Sequence, residues 1–199
     1  MQINVSVKVR NLNSLLRKIE KKYGKEGIRK LTEGFSHYAR GLVVRNFNRQ
    51  TDPYGRKWKP SDSRTKRRSS SKALIDTGNL RASIRAEVKG YSVVRIGSDL
   101  VYAPVHQYGA VITPKRARAL LVPLTKETRY GDVSYIRSKY QTFIALGIVW
   151  GKKGKRGRPK PLYLLKRSVK IPARPFLPDR RGLPREWENI ILKLIRKML

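Results

Sequence analysis

Cysteine is absent from all 199 residues, which excludes a disulfide framework and any thiolate metal site. Histidine is almost as scarce. His37 and His106 lie far apart, and neither has a second ligand three or four positions away, so zinc-type spacings are missing too. No run approaches the roughly 18 apolar residues that span a bilayer. Met1-Gln2-Ile3-Asn4-Val5 alternates polar with apolar and lacks the apolar core of a signal peptide. These absences predict a soluble chain without an export signal, and the lack of cysteine suits a reducing cytosol. Neither a G-x-S-x-G elbow nor a G-x-x-x-x-G-K-[ST] phosphate loop is present, so no hydrolase triad or nucleotide cofactor is expected.

Negative charge is the other shortage. Thirteen Asp and Glu stand against 47 Lys and Arg, a net charge of +34 with a pI near 11.2. Such a charge repels itself in a compact monomer and demands polyanionic or acidic surroundings. Nucleic acid is the usual partner of so basic a domain. The cations are also concentrated. Residues 56–72 carry eight of them against Asp62, around Ser69-Ser70-Ser71, and read as an exposed loop presenting Arg64, Lys66, Arg67 and Arg68. Residues 133–178 hold twelve and no acid. Inside that stretch, residues 151–161 read as the flexible tip of a hairpin between strand-like runs at 142–150 and 162–169. Lys152, Lys153, Lys155, Arg156, Arg158 and Lys160 would there neutralise phosphates and release counterions without reading bases. The plainer alternative is a solvated run of charge.

The length fits one domain, 1–199, with enough chain for a real core. Ile3, Val5, Val7 and Val9 alternate as in a half-buried strand. Asn11 or Asn13 can cap a short helix bearing Leu12, Leu15, Leu16, Ile19 and Tyr23, stopped by Gly24. A longer helix over 25–49 carries Ile28, Leu31, Phe35, Tyr38 and Leu42 as its stripe, with Gly34 and Gly41 marking close packing or a bend. Strands are predicted at 83–89 and 92–97 around Gly90, at 101–105 with Pro104 favouring an edge, and at 119–122. Beyond Pro184 a final helix aligns Trp187, Ile190, Ile191, Leu194, Ile195 and Met198. The expected fold is α+β: a mostly antiparallel sheet, a long helix in the N-terminal half, a C-terminal helix and a protruding basic hairpin. Its segments are 1–50, 51–132, 133–171 and 172–199.

Four short motifs punctuate this plan. T-D-P-Y-G-R-K-W at 51–58 is a turn, Pro53 fixing φ and Gly55 tolerating positive φ, with Trp58 packing it onto the core. L-I-D-T-G-N-L-R-A-S-I at 74–84 places Asp76-Thr77-Gly78 after an apolar run, as a retroviral-type aspartic protease does. Asn79 stands where that pattern has Ala or Ser, and a second aspartate would have to come from another copy. Otherwise Asp76 caps the turn of Thr77-Gly78 and starts a short helix over 79–83. V-Y-A-P-V-H-Q-Y-G at 101–109 offers His106 as a structural histidine hydrogen-bonded near Gln107 and Gly109. P-A-R-P-F-L at 172–177 is stiffened by Pro172 and Pro175 and reads as a segment crossing the sheet, with Arg174 seeking a carboxylate such as Asp76.

In this order the motifs resemble the phage virion morphogenesis (tail completion) family of Mu-like and P2-like tailed phages. The correspondence rests on Asp52, Pro53, Gly55 and Trp58, on Asp76, Thr77, Gly78, Leu80, Arg81 and Ser83, on Tyr102, Ala103, His106, Gln107 and Gly109, and on Pro172, Arg174, Pro175, Phe176 and Leu177. The resemblance implies a structural neck component with no enzymatic activity and no cofactor, found in the virion at the head–tail junction and in the host cytoplasm during assembly. It implies a homo-oligomeric ring of six or twelve copies beside other neck, portal and tail proteins; on charge alone, the basic loops would suit contact with packaged DNA. A free RNA- or ribosome-associated module is the alternative, favoured by ten Tyr and three Trp available for stacking; a D-T-G protease is a further one. The motif residues read as turns and packing points, which leaves function to the basic segments between them.

Overall fold

The computed structural model describes residues 2–3, 12–60, 72–179 and 181–199. The elements are β1 (Gln2–Ile3), α1 (Leu12–Arg49), α2 (Asn79–Ala82), β2 (Arg85–Lys89), β3 (Val93–Gly97), α3 (Ala103–Tyr108), β4 (Ala110–Ile112), β5 (Leu120–Pro123), α4 (Lys126–Tyr130), α5 (Val133–Lys139), β6 (Gln141–Ala145), β7 (Ile148–Lys152), β8 (Lys160–Lys166), β9 (Val169–Ile171) and α6 (Arg185–Met198). The expected strand positions Val5, Val7 and Val9, and the loop cations Arg64, Lys66, Arg67 and Arg68, lie outside the described residues. Length alone predicts one domain, whereas the chain divides into two compact units. The first takes Met1–Pro60, Lys72–Gly109 and Pro172–Leu199; the described residues of the second are Ala110–Ile171.

In the first unit, α1 buries Ile28, Leu31, Phe35, Ala39, Val43 and Phe47, the three-and-four spacing of an amphipathic helix, with Ile19 buried before the break. Gly24 interrupts it at φ 62, ψ −159, so the short helix and the long one remain separate rods, as the glycine predicts. Tyr38 departs from the expected stripe. It is half exposed, and the small Ala39 beside it takes the inward position. Helix α6 lies on α1 through Trp187, Ile191 and Ile195, with the Trp187 ring edge-on to Phe35 at 5.9 Å. Gly34 faces Leu194 with room to spare, since a Cβ there would make an ordinary contact at 3.6 Å, and a Cβ at Gly41 would meet nothing within 4 Å. The C-terminal carbonyls of α6 are covered from α1, Tyr23 donating to Met198 O at 2.7 Å and Lys22 to Leu199 O at 3.3 Å. A three-stranded antiparallel sheet in the order β1-β3-β2 completes the unit, and Gly90 at φ 64 turns β2 into β3.

Two predicted strands are corrected. Residues 101–105 enter a helix: Pro104 sits in the first turn of α3, where its missing N–H has no intrahelical partner to lose. Residues 142–150 are a hairpin, folded between β6 and β7 at Leu146 and Gly147, both at positive φ (52° and 70°). The run at 162–169 likewise divides between β8 and β9.

The second unit pairs β4 with β9 and builds a four-stranded antiparallel sheet, β5-β8-β7-β6. Its own core is small: Ile136 and Tyr140 from α5 and its end, Leu162 and Tyr163 from β8, with Val149 against them. Both units therefore combine helices with antiparallel sheet, and the α+β class holds. Among the described residues no helix is long and apolar enough to cross a membrane.

Trp187 is 2% exposed and carries the α1–α6 contact. Trp187→Ala is expected to lower stability by about 3–5 kcal/mol, read as a shift of the urea midpoint with the slope unchanged.

Candidate functional site

All four motifs belong to the first unit, where they grip one another. The T-D-P-Y-G turn is closed by Asp52, whose buried Oδ1 accepts from the amides of Tyr54 (2.9 Å) and Arg56 (2.8 Å), while Gly55 adopts φ 88. Trp58 packs as expected. Its ring meets Phe47 edge-on at 5.5 Å and its indole N–H donates to Pro175 O at 2.9 Å, tying the first motif to the last. Tyr54 extends the tie: its hydroxyl accepts from Asp179 N (3.1 Å) and has Asp179 Oδ1 (3.0 Å) and Gly182 O (2.8 Å) as acceptors. Arg181 lies over the Tyr54 ring at 4.0 Å and, hydrogen-bonded to Asp179, holds that carboxyl down at about 2.

Gln107 makes the central contact between the third and fourth motifs. Its side chain is 3% exposed. Oε1 accepts from the amides of Phe176 (3.0 Å) and Leu177 (3.1 Å), and Nε2 donates to Leu177 O at 2.9 Å. A primary amide offers the same donor and acceptor as a peptide group, so one side chain serves an irregular strand as a neighbouring strand would. The backbone repeats the contact next door, with Arg174 N donating to His106 O at 2.8 Å. His106 itself stacks edge-on with Tyr102 at 5.9 Å, Ala103 is buried at the start of α3, and Gly109 at φ 76 carries the chain out of the helix. The Arg174 guanidinium, 7% exposed, donates to the carbonyls of Lys59 (2.9 Å) and Pro60 (3.1 Å). Proline on both sides, Pro172 and Pro175, keeps this segment extended, and Phe176 and Leu177 go into the core.

The D-T-G motif leads into α2, though not as expected. Gly78 occupies the capping position at φ 78 and has no side chain to cap with, so Asp76 is not the cap; Thr77 Oγ1 accepts a long 3.4 Å bond from Asn79 N. Leu80 is buried, Arg81 donates to Asn48 Oδ1 at 3.1 Å, and Ser83 bonds Leu80 O and Ser98 Oγ. A cavity beside the third motif, lined by Ser98, Ala103, Pro104, Gln107, Tyr108, Phe176 and Leu177, holds about 10 Å³, room for one water and no substrate. No group of three or more metal-ligating side chains occurs among the described residues. Gln50 escaped the sequence reading altogether. Its amide brackets the backbone of Ala73, accepting from Ala73 N (2.5 Å) and donating to Ala73 O (3.0 Å). A lone glutamine after a helix gives no signal of that.

The candidate contact cations at 152–160 fall in the second unit, where sixteen Lys and Arg over Ala110–Ile171 face two acids, Glu127 and Asp132. Gly151 and Lys152 close β7, Lys160 and Pro161 open β8, and residues 153–159 connect them. Lys153, Lys155, Arg156 and Arg158 are exposed on this connection. Its glycines are conformational requirements: Gly154 is at φ 63, and a Cβ on Gly157 would come within 2.1 Å of Lys153 O. Lys160 is committed elsewhere. It sits over the Tyr140 ring at 4.5 Å and bonds Glu127 Oε2 at 3.0 Å, while Lys139 and the Tyr140 hydroxyl (2.8 Å) also reach that carboxylate. Lys139 first, then Lys160 and Tyr140, depress the Glu127 pKa from 4.5 to about 2. The sequence does not single out Glu127; only its isolation among cations is a clue.

Gln107→Leu strands buried amides and a carbonyl of Phe176 and Leu177, so it should cost on the order of 3 kcal/mol or more, measured by urea unfolding. The Glu127 shift has its own signature. A depressed carboxylate stabilises fully above its unfolded value and loses that contribution as pH falls through the folded one. The second unit should therefore weaken between about pH 4.5 and 2, and Glu127→Gln should flatten that part of the stability–pH curve recorded by tryptophan fluorescence.

The family model described as the phage virion morphogenesis family matches residues 7–136. No curated protein and no solved structure matches the chain. The matched span takes in the motifs at 51–58, 74–84 and 101–109 and ends before P-A-R-P-F-L, which the Gln107 clasp joins to them. With well over half of its residues matched, the chain belongs to the phage virion morphogenesis family.

Proposed function

We propose that this protein is a structural component of the head–tail junction of a tailed phage, one that forms or joins a ring of six or twelve copies and completes the tail. The motif residues support this reading by what they do. Asp52, Gln107 and Arg174 are spent on backbone groups of the same unit. The connection after β7 is cationic and exposed. We place packaged DNA against the connection between β7 and β8, where Lys153, Lys155, Arg156 and Arg158 are exposed and would meet phosphates without reading bases. The single observation that carries this placement is the imbalance over Ala110–Ile171, sixteen cations to two acids.

A free RNA-binding module is the second reading. Exposed Tyr130 and Tyr135, each with a cation over its ring (Arg129 at 5.6 Å, Lys139 at 5.1 Å), could stack unpaired bases. Light scattering after size exclusion separates the two: defined oligomers favour the junction role, and a monomer that prefers single-stranded RNA favours the module.

Changing Lys153, Lys155, Arg156 and Arg158 together to Gln should weaken duplex DNA binding and reduce the slope of log K against log salt by about 3–4. Fluorescence anisotropy across a salt series provides the measurement. Unaltered affinity and slope would remove DNA from this connection.

A further inference from the structure

One stretch of the second unit contradicts the composition of the chain around it. Residues 140–151 contain no charged side chain in a protein that is 30% charged, and the stretch is bounded by Lys139 and Lys152. It forms β6 and β7, and β6 is an edge: the sheet order β5-β8-β7-β6 leaves its outer side unpaired among the described residues. Edge strands are ordinarily protected by charge, proline or a bulge. Gln141-Thr142-Phe143-Ile144-Ala145 has no charge and no proline, and its pairing with β7 runs without a register shift. Ile144 is 69% exposed and Phe143 45%.

The turn adds a second, independent anomaly. Leu146 is 95% exposed and holds φ 52, a region that a bulky residue enters only under strain. Asn or Gly suits that position of a two-residue hairpin loop. An exposed leucine therefore costs stability twice there, once by strain and once by hydration, and gains nothing within the unit. Leu121 continues the apolar surface at the same end of the sheet: it pairs with Leu165, whose amide donates to Gly147 O at 2.8 Å, and it is 44% exposed.

We infer that β6 and the Leu146 turn are a docking edge that receives an extended strand of a different, acidic protein. Strand addition would satisfy the free edge, and an apolar pocket on the partner would take Leu146. Charge selects the partner. Lys152 stands opposite Gln141, and Lys166 and Arg167 follow the Leu165 that bonds the turn. The two acids of Ala110–Ile171 are engaged elsewhere, Glu127 by Lys139 and Lys160 and Asp132 by Ser134. A second copy would bring like charge to this edge, whereas an acidic strand would be attracted. The cationic connection lies at the other end of β7, roughly 16 Å away by strand rise, so protein and polyanion could be held at once. This partner goes beyond the role proposed above and rests on β6 and its turn, not on DNA contact.

The test uses the full chain with Leu146→Asn and, separately, Ile144→Lys, and a short peptide alternating valine with glutamate as the probe. Leu146→Asn creates the preferred Asn-Gly turn, so its melting temperature should stay or rise. Each variant should bind the peptide at least about tenfold more weakly than the parent chain. A valine–lysine counterpart should not bind, and duplex DNA affinity should be unchanged by Leu146→Asn. Equal peptide binding by parent and Leu146→Asn would reduce the effect to bulk charge and overturn the docking edge. Loss of self-assembly in the variants, with the peptide unbound by the parent, would overturn it in favour of a second copy. Weaker DNA binding by Leu146→Asn would overturn it in favour of nucleic acid.

Discussion

The amide of Gln107 is the contact on which the first unit depends. The chain leaves that unit at Gly109 and returns at Pro172, after all of Ala110–Ile171. The returning segment has to be fastened without a sheet, because Pro172 and Pro175 cannot donate to a ladder. Gln107 fastens it by standing in for a peptide group, and Arg174, Trp58 and Tyr54 add bonds from the opposite side. Loop-closure entropy rises slowly, by only about 0.6 kcal/mol per doubling of length. A clasp of a few buried hydrogen bonds is thus enough to tolerate a long insertion, provided each polar atom in it is satisfied.

The two units divide the labour along that boundary. In the first, polar side chains are turned inward to serve backbone groups. The second has a core of few residues, and its carboxylate Glu127 works as a local tie between α4, the end of α5 and β8. Its remaining cations are left for the surroundings. Its sheet presents two different ends, a cationic connection after β7 and an uncharged turn before it.

Much of the fold was legible because local physics settles it. The stripe of α1, the break at Gly24, the Asp52–Gly55 turn and the buried face of α6 follow from spacing, φ preference and hydrogen-bonding chemistry over a few residues. Misreadings arose where two local rules gave the same answer. Pro104 is admissible at a strand edge and in the first turn of a helix, and the helix prevailed because Gln107 and Ala103 could then face inward. Residues 142–150 look like one strand because Leu146 is a poor turn former; a hairpin there had no conventional signal.

The amino-acid sequence by itself determined the class of the molecule: charge, lack of thiols, the α+β pattern, and ordered motifs, three of which lie in the span that shows the family. Those properties reside in composition and in intervals of a few residues. Only the tertiary structure decided what the motif residues do and which cations are free to act. Gln107 finds Phe176 and Leu177 across Ala110–Ile171, Arg174 finds the carbonyls of Lys59 and Pro60, and Lys160 pairs with Glu127. These are long-range pairings between a generic polar side chain and a backbone or carboxylate group. Nothing in such a side chain names its partner, so the choice is made only when packing brings the two together.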